Sequence, residues 1–419
     1  MFVNLPGSKI DLKNSPLILK LLTPKIQTFI EEHKLDDPNR LLLKYKIVDD
    51  VPVSIIVDQI KGRKKAKEKL PTWYKNAQTV FPPSINIEQS SSEQTAQYKR
   101  EIIANVLENE RLVNRMLDLT GGFGVDSFFL SKLFNEAYFV ENDKNLIDIA
   151  IHNHHQLGSD NFYYFNTSAE EFLTSSTMCF DFIYLDPTRR SKGNEKIFSL
   201  NQCEPNVVLL QEKIWKITEN FLIKTSPLLD IQQGLKELKY VKKVYVISLR
   251  NECKELLFLC QKNFDSEPII EAIDLADRSK SLSFLFSAER NTEVQYSDPL
   301  KYLYEPNASI LKSGAFKTVA SLFNVSKIHP NTHLYTSDKF LKNFPGRTFE
   351  IESLVKDDVR ILREFFPDGK ANVITRNYSA SVDELRKTTK LTDGGEKFLI
   401  AFSGVKKKFL VVAKKLNGL

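Results

Sequence analysis

The sequence predicts an α/β protein whose centre is a parallel, doubly wound sheet spanning about residues 90 to 290. Three observations predict this fold class. From about residue 113, short apolar runs alternate with stretches of helical periodicity. The first of these runs ends in a cluster of glycines, as strands that enter a ligand-binding turn commonly do. The flanking regions differ in pattern, with helical spacing before the sheet and short mixed units after it.

Residues 1–89 are predicted to form a mostly helical domain. Apolar residues recur three and four positions apart within residues 15–35 and again within residues 40–60. Asp36, Asp37 and Pro38 separate the two stretches. A further helix is predicted over residues 90–107, with Ser90 and Glu93 at the spacing of a capping box.

Residues 90–289 carry the predicted sheet. The candidate strands, in chain order, are residues 115–120, 137–142, 162–167, 181–187, 220–227 and 243–249. Residues 268–275 and 281–288 are predicted to form a closing antiparallel pair. Cys253 and Cys260, seven positions apart, are predicted to share one face of a helix in the core.

The composition of the 419-residue chain is that of an ordinary globular protein, with 42% hydrophobic and 27% charged residues. Its four cysteines include no CxxC pair, which favours a reducing compartment. Pro6, Lys9 and Asp11 interrupt the N-terminal stretch where a signal peptide needs an unbroken apolar run. No window is long and apolar enough for a membrane span. We therefore expect a cytoplasmic protein.

The formal net charge of +6 is unevenly distributed. Residues 340–419 contain 16 Lys and Arg against 10 Asp and Glu, and residues 61–69 contain six basic residues and one acidic residue. Basic clusters at both ends of a near-neutral middle favour a polyanionic partner, although solvated lysine-rich surfaces would give the same pattern.

A glycine-rich turn follows the first predicted strand of the sheet. Glycines allow a backbone to approach a ligand closely, and the helix that follows begins with free N–H groups and a partial positive charge. The candidate cofactor-binding residues of the turn are Asp118, Thr120, Gly121, Gly122, Gly124 and Asp126.

Two nucleotide-like ligands use such a turn. A dinucleotide prefers G-x-G-x-x-G, but here Gly124 is followed by Asp126, whose carboxylate would repel a pyrophosphate. S-adenosylmethionine has no phosphate and carries a sulfonium and an ammonium group, so an acidic turn suits it. Asp118 is expected to meet its amino acid moiety directly or through water.

The ends of the next two strands supply further candidates. Glu141, followed by Asn142, lies 23 residues after Asp118, and its carboxylate can accept hydrogen bonds from both ribose hydroxyls. Ser168 and Ala169 follow the third strand, where the adenine is expected. Glu141 alone would also fit a NAD protein, but the ordered set favours S-adenosylmethionine.

The fourth strand ends in Asp186-Pro187-Thr188-Arg189, the candidate catalytic loop. Ligands of open α/β sheets lie at the carboxyl ends of the strands, so Asp186 and the Pro187 carbonyl are expected to face the methyl group that is transferred. Together they can hold the protons of an amine while its lone pair points at the methyl carbon. Arg189 and the next arginine are expected to contact phosphate or a base, or to form surface salt bridges.

Two other chemistries receive little support. Cys203, in the loop after the fourth strand, is the one candidate for a covalent route, and we expect it to serve in packing. His152, His154 and His155 do not share one helix face, so no metal site is predicted.

The segments DLTGGFGVD, FVEND and YLDPTRR resemble those of class I, Rossmann-like S-adenosylmethionine-dependent methyltransferases. With KAKEKLPTWY, EQSSSEQTAQYKR, YLYEPNASILKSGAF and ANVITRNYSASVDELRK, the chain resembles a bacterial family of these enzymes that has a C-terminal THUMP-like domain. The resemblance implies a ferredoxin-like module at residues 290–344 and a THUMP-like domain at residues 345–419. It also implies RNA methylation, of rRNA or tRNA, because THUMP domains bind RNA.

The chain departs from the pattern of amine-methylating families at Thr188 and Arg189, which replace a second proline and an aromatic residue. Alternatives to an RNA methyltransferase therefore remain: a non-catalytic RNA-binding or assembly factor, a methyltransferase acting on a protein or small molecule, and a NAD oxidoreductase. The sequence identifies neither the RNA and the methylated atom nor the oligomeric state.

Overall fold

The computed structural model describes residues 15–107, 114–189 and 199–416. These residues form two compact units. One reaches to Val241 and includes Phe258–Phe264, and the other comprises Lys242–Leu257 and the chain from Asp265 onwards.

The first unit begins with a helical region, as predicted. Its elements are α1 (Pro16–Leu21), α2 (Pro24–Glu32), α3 (Pro38–Lys44), β1 (Ile47–Val48), β2 (Val51–Pro52), α4 (Val53–Lys69), α5 (Pro71–Lys75), α6 (Ser84–Gln89) and α7 (Glu93–Leu107). The predicted break before α3 is confirmed, because the Asp37 side chain accepts a hydrogen bond from the Asn39 N–H. The hairpin of β1 and β2 was not predicted, and its turn is made by Asp49 and Asp50, both with positive φ.

The predicted capping box at the start of α7 is wrong. Ser90 ends α6 instead, and α7 begins at Glu93. The Ser92 hydroxyl oxygen accepts the Thr95 N–H. The carboxylate of Glu93 accepts hydrogen bonds from the N–H and hydroxyl of Thr72, at 2.9 and 2.7 Å, and so joins α7 to α5 instead of closing its own first turn.

An aromatic cluster packs α5 against the region of the glycine turn. Trp73 is fully buried, and its ring centroid lies 5.1 Å from that of Phe128 and 6.1 Å from that of Phe123. Large buried aromatic side chains contribute strongly to core stability. The helical region is therefore packed directly beside the turn that the sequence singles out.

Strands and helices alternate through the middle of the chain. The elements are β3 (Arg115–Asp118), α8 (Val125–Leu130), β4 (Glu136–Val140), α9 (Lys144–Gln156), β5 (Phe162–Phe165), α10 (Ala169–Ser175), β6 (Phe182–Leu185), β7 (Thr188–Arg189), β8 (Cys203–Glu204), α11 (Val207–Ile214), β9 (Asn220–Thr225), α12 (Ile231–Glu237), β10 (Val241–Leu249), β11 (Glu252–Gln261), β12 (Ile269–Asp274), β13 (Leu282–Leu285) and α13 (Ala288–Asn291).

In the part of the chain that the structure describes, nine of these strands form one sheet in the order β13-β12-β10-β11-β9-β6-β3-β4-β5. The strands from β9 to β5 pair in parallel, which confirms the predicted α/β class. The predicted antiparallel closing pair is also present as β12 and β13. Separately, β7 and β8 form a short antiparallel ribbon in which Thr188 lies opposite Glu204.

Strand β11 corrects the prediction for Cys253 and Cys260. Both cysteines lie on this strand, and an odd spacing on a strand places them on opposite faces. Arg250 and Asn251 precede it with φ of 55° and 60°, the backbone of a tight hairpin turn. A continuous apolar run fits a buried strand as well as a helix, so periodicity alone did not separate the two.

The second unit contains a further sheet. Its elements are β14 (Tyr302–Pro306), α14 (Ala308–Ser313), α15 (Phe316–Leu322), β15 (Ser326–His329), β16 (Thr332–Ser337), β17 (Gly346–Leu354), α16 (Val359–Phe365), β18 (Asn372–Arg376), α17 (Val382–Thr389), β19 (Lys397–Ser403) and β20 (Lys408–Leu416). Within the described residues, these seven strands are ordered β15-β16-β14-β17-β20-β19-β18. The regions expected to be two modules thus contribute to one sheet, and the buried Glu305 of β14 binds Arg347 of β17 and Arg376 of β18.

Among the described helices, none is both long enough and apolar enough to cross a lipid bilayer.

Candidate functional site

A cleft opens at the carboxyl ends of β3, β4, β5 and β6, with a volume of about 290 Å³. This is close to the lower end of the usual range for small-ligand sites, roughly 300 to 1,000 Å³. The sequence-predicted residues that line it are Asp118, Thr120, Gly121, Gly122, Gly124, Asp126, Glu141, Asn142, Ser168, Ala169, Asp186 and Thr188. Pro187 is buried and is not among the lining residues, and the side chain of Arg189 and all of Arg190 lie outside the described residues.

The glycine turn is held by backbone bonds and by the absence of side chains. The Gly121 N–H donates to the Val140 carbonyl at 2.9 Å, which ties the turn to the end of β4. Gly124 has φ of +83°, and a Cβ there would lie 2.5 Å from Nε2 of His154. That ring nitrogen is hydrogen-bonded to the Gly124 carbonyl at 2.9 Å. The start of α8 therefore requires glycine both for its conformation and for space.

Asp118 is buried at the end of β3. Its carboxylate accepts hydrogen bonds from the Thr120 N–H, at 2.8 Å, and from the Ser127 hydroxyl. Burial raises the pKa of Asp118 from 3.8 to about 7, although both hydrogen bonds favour the ionised form. Asp118 thus holds the turn through these two hydrogen bonds.

Glu141 bridges the turn and the end of β4. Its Oε2 accepts the Gly122 N–H at 2.7 Å, and its Oε1 accepts the Asp143 N–H at 2.8 Å. Each carboxylate oxygen can accept more than one hydrogen bond, so both oxygens of Glu141 can still accept hydrogen bonds from the hydroxyls of a ribose. The carbonyls of Glu141 and Asn142 both accept from the Asn166 side-chain amide at 2.9 Å, which fixes this end of the cleft.

Ser168 forms a capping box at the start of α10. Its hydroxyl accepts the Glu171 N–H at 3.2 Å, and the Glu171 carboxylate accepts the Ser168 N–H at 3.4 Å. The side chain that was expected near the adenine is therefore also the cap of a helix. Ala169 is buried beside it and gives this wall of the cleft an apolar surface.

Asp186 lies directly after β6 and is held from two sides. Its N–H donates to the Thr120 hydroxyl at 2.6 Å, and its carboxylate contacts the ammonium group of Lys224. Lys224 is 8% exposed and lies on β9, the neighbouring strand. The sequence reasoning missed this residue, although a lysine inside an otherwise apolar strand is a signal of a buried charge pair.

A second buried lysine lies behind the turn. Lys99 of α7 is fully buried, and its ammonium lies 3.2 Å from Oδ1 of Asp126. The other oxygen of Asp126 accepts the hydroxyls of Ser91 and Tyr184 at 2.7 and 2.8 Å. This network was also missed, although Lys99 falls on the apolar face of its helix.

The charge of the cleft discriminates between the two candidate cofactors. Among the described lining residues there are six carboxylates and no lysine, arginine or histidine. The carboxylates belong to Asp118, Asp126, Glu141, Glu170, Asp186 and Glu204. Asp126 and Asp186 pair with Lys99 and Lys224, which lie behind the lining, and the remaining carboxylates repel a pyrophosphate and attract a sulfonium or ammonium group. The residues present therefore fit S-adenosylmethionine and do not fit a dinucleotide.

The three histidines of α9 have separate roles. His154 is buried, lies 3.0 Å from the Tyr164 hydroxyl, and has its pKa lowered to about 4 by burial. His152 contacts the Gln78 carbonyl at 2.8 Å, and His155 is exposed. No group of metal-ligating side chains occurs within the ranges that the structure describes. Cys203 is half-buried and does not line the cleft.

Family models match three segments of the chain. Residues 90–225 match conserved hypothetical protein 95, residues 302–345 match a ferredoxin-like domain, and residues 346–415 match a THUMP domain-like family. No curated protein matches the chain significantly.

Several solved structures are similar to the chain. A "putative methyltransferase" from Porphyromonas gingivalis W83 is 30% identical, with a TM-score of 0.80, and the match covers 93% of this chain and 97% of that one. TrmK from M. capricolum, in complex with S-adenosyl-homocysteine, is 12% identical with a TM-score of 0.30, over 40% of this chain and 68% of that one. An rRNA methylase from Streptococcus thermophilus is 15% identical with a TM-score of 0.30, over 39% of this chain and 94% of that one.

The match to the P. gingivalis protein extends over almost the full length of both chains, and the family models add the ferredoxin-like and THUMP-like segments. The chain therefore belongs to the family of class I S-adenosylmethionine-dependent methyltransferases that carry a C-terminal THUMP-like domain.

Proposed function

We propose that the protein transfers a methyl group from S-adenosylmethionine to a base of a structured RNA, rRNA or tRNA. The observation that carries this proposal is the cleft at the carboxyl ends of the parallel strands, which is bordered by Asp186 and whose described lining contains carboxylates and no cationic side chain. The THUMP-like segment at residues 346–415 supports RNA as the substrate, since domains of that kind bind RNA.

Each side of the cleft has a role in binding the donor. Glu141 accepts the ribose hydroxyls, the backbone of Gly121 and Gly122 allows close approach, and Asp118 faces the ammonium group. Ser168 and Ala169 border the adenine. When bound, S-adenosylmethionine supplies an electrophilic methyl group on a sulfonium centre.

Asp186 orients the acceptor base. Lys224 contacts Oδ2 of Asp186, so Oδ1 is the oxygen that accepts an N–H of the base. The Thr120 hydroxyl fixes the backbone of Asp186, and the partly buried ion pair with Lys224 fixes its side chain. Holding the acceptor in line with the methyl carbon lowers the barrier by removing orientational freedom, a contribution that can reach several kcal/mol.

The domain organisation belongs to the same proposal. We assign residues 1–89 as the helical domain, 90–289 as the methyltransferase domain, 290–344 as the ferredoxin-like module and 345–419 as the THUMP-like domain. The four cysteines are free thiols, which supports a cytoplasmic location.

A transfer assay tests the function. The purified protein, S-adenosylmethionine with a labelled methyl group, and total RNA from a strain lacking the protein should yield labelled RNA, and nuclease mapping then identifies the nucleotide. Glu141→Gln should lose cofactor binding, and Asp186→Asn should keep cofactor binding but lose transfer. Label appearing in protein or in small molecules instead of RNA would contradict the proposed substrate. Absence of cofactor binding by calorimetry would contradict the activity itself.

A further inference from the structure

A second, larger depression lies on the helical region of the first unit, with a volume of about 1,150 Å³. We call it the N-terminal groove and define it by its lining, which comes from the end of α2, from α4, from α5 and from α6. Among the described residues, seven of its lining side chains are cationic. Five of them lie on α4 between Arg63 and Lys69, and the others are Lys34 and Lys75.

The cations of the groove outnumber its carboxylates. The carboxylates in its lining are Glu31, Glu68 and Glu88. Glu31 pairs with Lys34, and Glu88 pairs with Lys65. Across residues 15–107, 114–189 and 199–416, no carboxylate lies within 4.0 Å of the ammonium groups of Lys64, Lys67 or Lys75. These three lysines are exposed and are the groove's available cations.

The groove also offers apolar and aromatic surface. Tyr74 is 46% exposed at its edge, and Leu35 is 91% exposed. Ile60 and Ile87 form part of its floor and are buried. A cationic groove with an accessible aromatic ring is the arrangement that binds single-stranded nucleic acid, since phosphates meet the cations and a base stacks on the ring.

Helix α6 separates the groove from the cofactor cleft. Ile87 and Glu88 line the groove, whereas Asn86 and Gln89 of the same helix line the cleft. We propose that the N-terminal groove binds a single-stranded segment of the substrate RNA, with its phosphates on Lys64, Lys67 and Lys75 and a base on Tyr74. This inference rests on the proposed function, because it assigns the surface that holds RNA next to the methyl-transfer site.

Direct binding tests the inference. The full-length protein is titrated against a fluorescein-labelled oligouridylate of about 16 nucleotides, long enough for one such surface, at several salt concentrations. The test variant combines Lys64→Glu, Lys67→Glu and Lys75→Glu. The control variant combines Lys213→Glu, Lys216→Glu and Lys236→Glu, three exposed lysines of the same unit that line neither cavity. Calorimetric titration with S-adenosylmethionine serves as the check that each variant is folded.

The test variant should bind the oligonucleotide at least about tenfold more weakly than wild type. Its slope of log K against log salt should be shallower by about 2, from three lost phosphate contacts at about 0.7 each. The control variant should behave as wild type, and a separate Tyr74→Ala variant should lose affinity without a change of slope. Equal affinity of test variant and wild type, or no binding by wild type, would overturn the inference. If the groove binds RNA but wild type methylates none, the proposed function fails, and the groove remains an RNA-binding surface that does not deliver a substrate.

Discussion

The ammonium group of Lys224 contacts the carboxylate of Asp186 across the neighbouring strands β9 and β6, at the edge of the cofactor cleft. The lysine side chain is 11% exposed and the aspartate side chain 32% exposed, so the pair is partly withdrawn from water. Because Lys224 is not itself a lining residue of the cleft, it acts through Asp186. It is a positioning residue for the proposed transfer.

Replacing Lys224 with Met should lower kcat about 100-fold, because the acceptor carboxylate would no longer be held in one orientation. The affinity for S-adenosylmethionine should change much less, since Asp186 lies at the acceptor side. Steady-state methyl transfer measures kcat and KM separately. Lys262→Met, which removes the half-buried partner of the exposed Glu219, is the matched control and should leave kcat unchanged. An unchanged kcat in Lys224→Met would exclude the positioning role.

Asp118 should make stability depend on pH. Its pKa is about 7 when folded against 3.8 when exposed, so between about pH 4 and pH 7 the folded protein retains a proton that the unfolded chain has lost. The contribution of this group to the free energy of unfolding is therefore present below pH 4 and is lost as pH rises through 7, by at most about 4 kcal/mol. Urea unfolding of wild type and Asp118→Asn at pH 5 and pH 8 measures the difference.

Asp118→Asn cannot titrate at this position, so its loss of stability between the two pH values should be smaller than that of wild type. Identical pH dependence in the two proteins would show that Asp118 is ionised throughout the range.

Gly124→Ala and Gly158→Ala separate backbone strain from steric conflict. Both glycines have positive φ, +83° and +78°. A Cβ at Gly158 meets nothing within 4 Å, whereas a Cβ at Gly124 collides with the His154 ring. Each substitution should cost about 1 to 2 kcal/mol from the left-handed backbone, and Gly124→Ala should cost about 1 to 3 kcal/mol more from overpacking. Denaturant unfolding measures both. Equal costs would mean that the His154 ring moves aside freely.

Lys99→Met should be strongly destabilising, because it leaves the buried carboxylate of Asp126 without its cation. Breaking a buried ion pair from one side typically costs about 3 to 5 kcal/mol. Lys239→Met is the matched control, since its pair with Glu212 has side chains 59% and 70% exposed, and exposed pairs contribute little to stability. Chemical denaturation of the two variants compares them directly. A small effect for Lys99→Met would mean that Ser91 and Tyr184 alone satisfy Asp126.

The fold class was predictable because each parallel strand is followed by a helix of clear periodicity, and the glycines mark the turn after β3. The closing pair β12 and β13 was predictable because each strand is a short apolar run that reads as a strand on its own. Strand β11 was not predicted as a strand, because its continuous apolar run fits a helix equally well. The N-terminus of α7 was also predicted wrongly. Glu93 accepts a hydrogen bond from Thr72, 21 positions earlier, and this tertiary contact replaces the capping box that its spacing from Ser90 indicated.

The candidate site divides in the same way. The residues of the turn and of the strand ends follow from position in the chain, since carboxyl ends of adjacent parallel strands converge. The lysines that balance the charges of these carboxylates cannot be predicted from position in the chain. Lys224 is 38 residues from Asp186, and the pair exists because β9 lies next to β6. Lys99 reaches Asp126 through the packing of α7, which no spacing in the sequence encodes.

Segments 302–345 and 346–415 match separate family models, but β14 and β17 are joined by five register pairs, from Tyr302 opposite Glu350 to Pro306 opposite Gly346. Separating the chain at residue 346 would leave the strand edge of each fragment unpaired, and exposed strand edges pair with other chains and cause aggregation. The boundary between the two family matches thus lies inside one β-sheet. Residues 302–345 or 346–415 expressed alone should aggregate. A fusion protein that carries the THUMP-like segment should therefore include residues 302–345 as well.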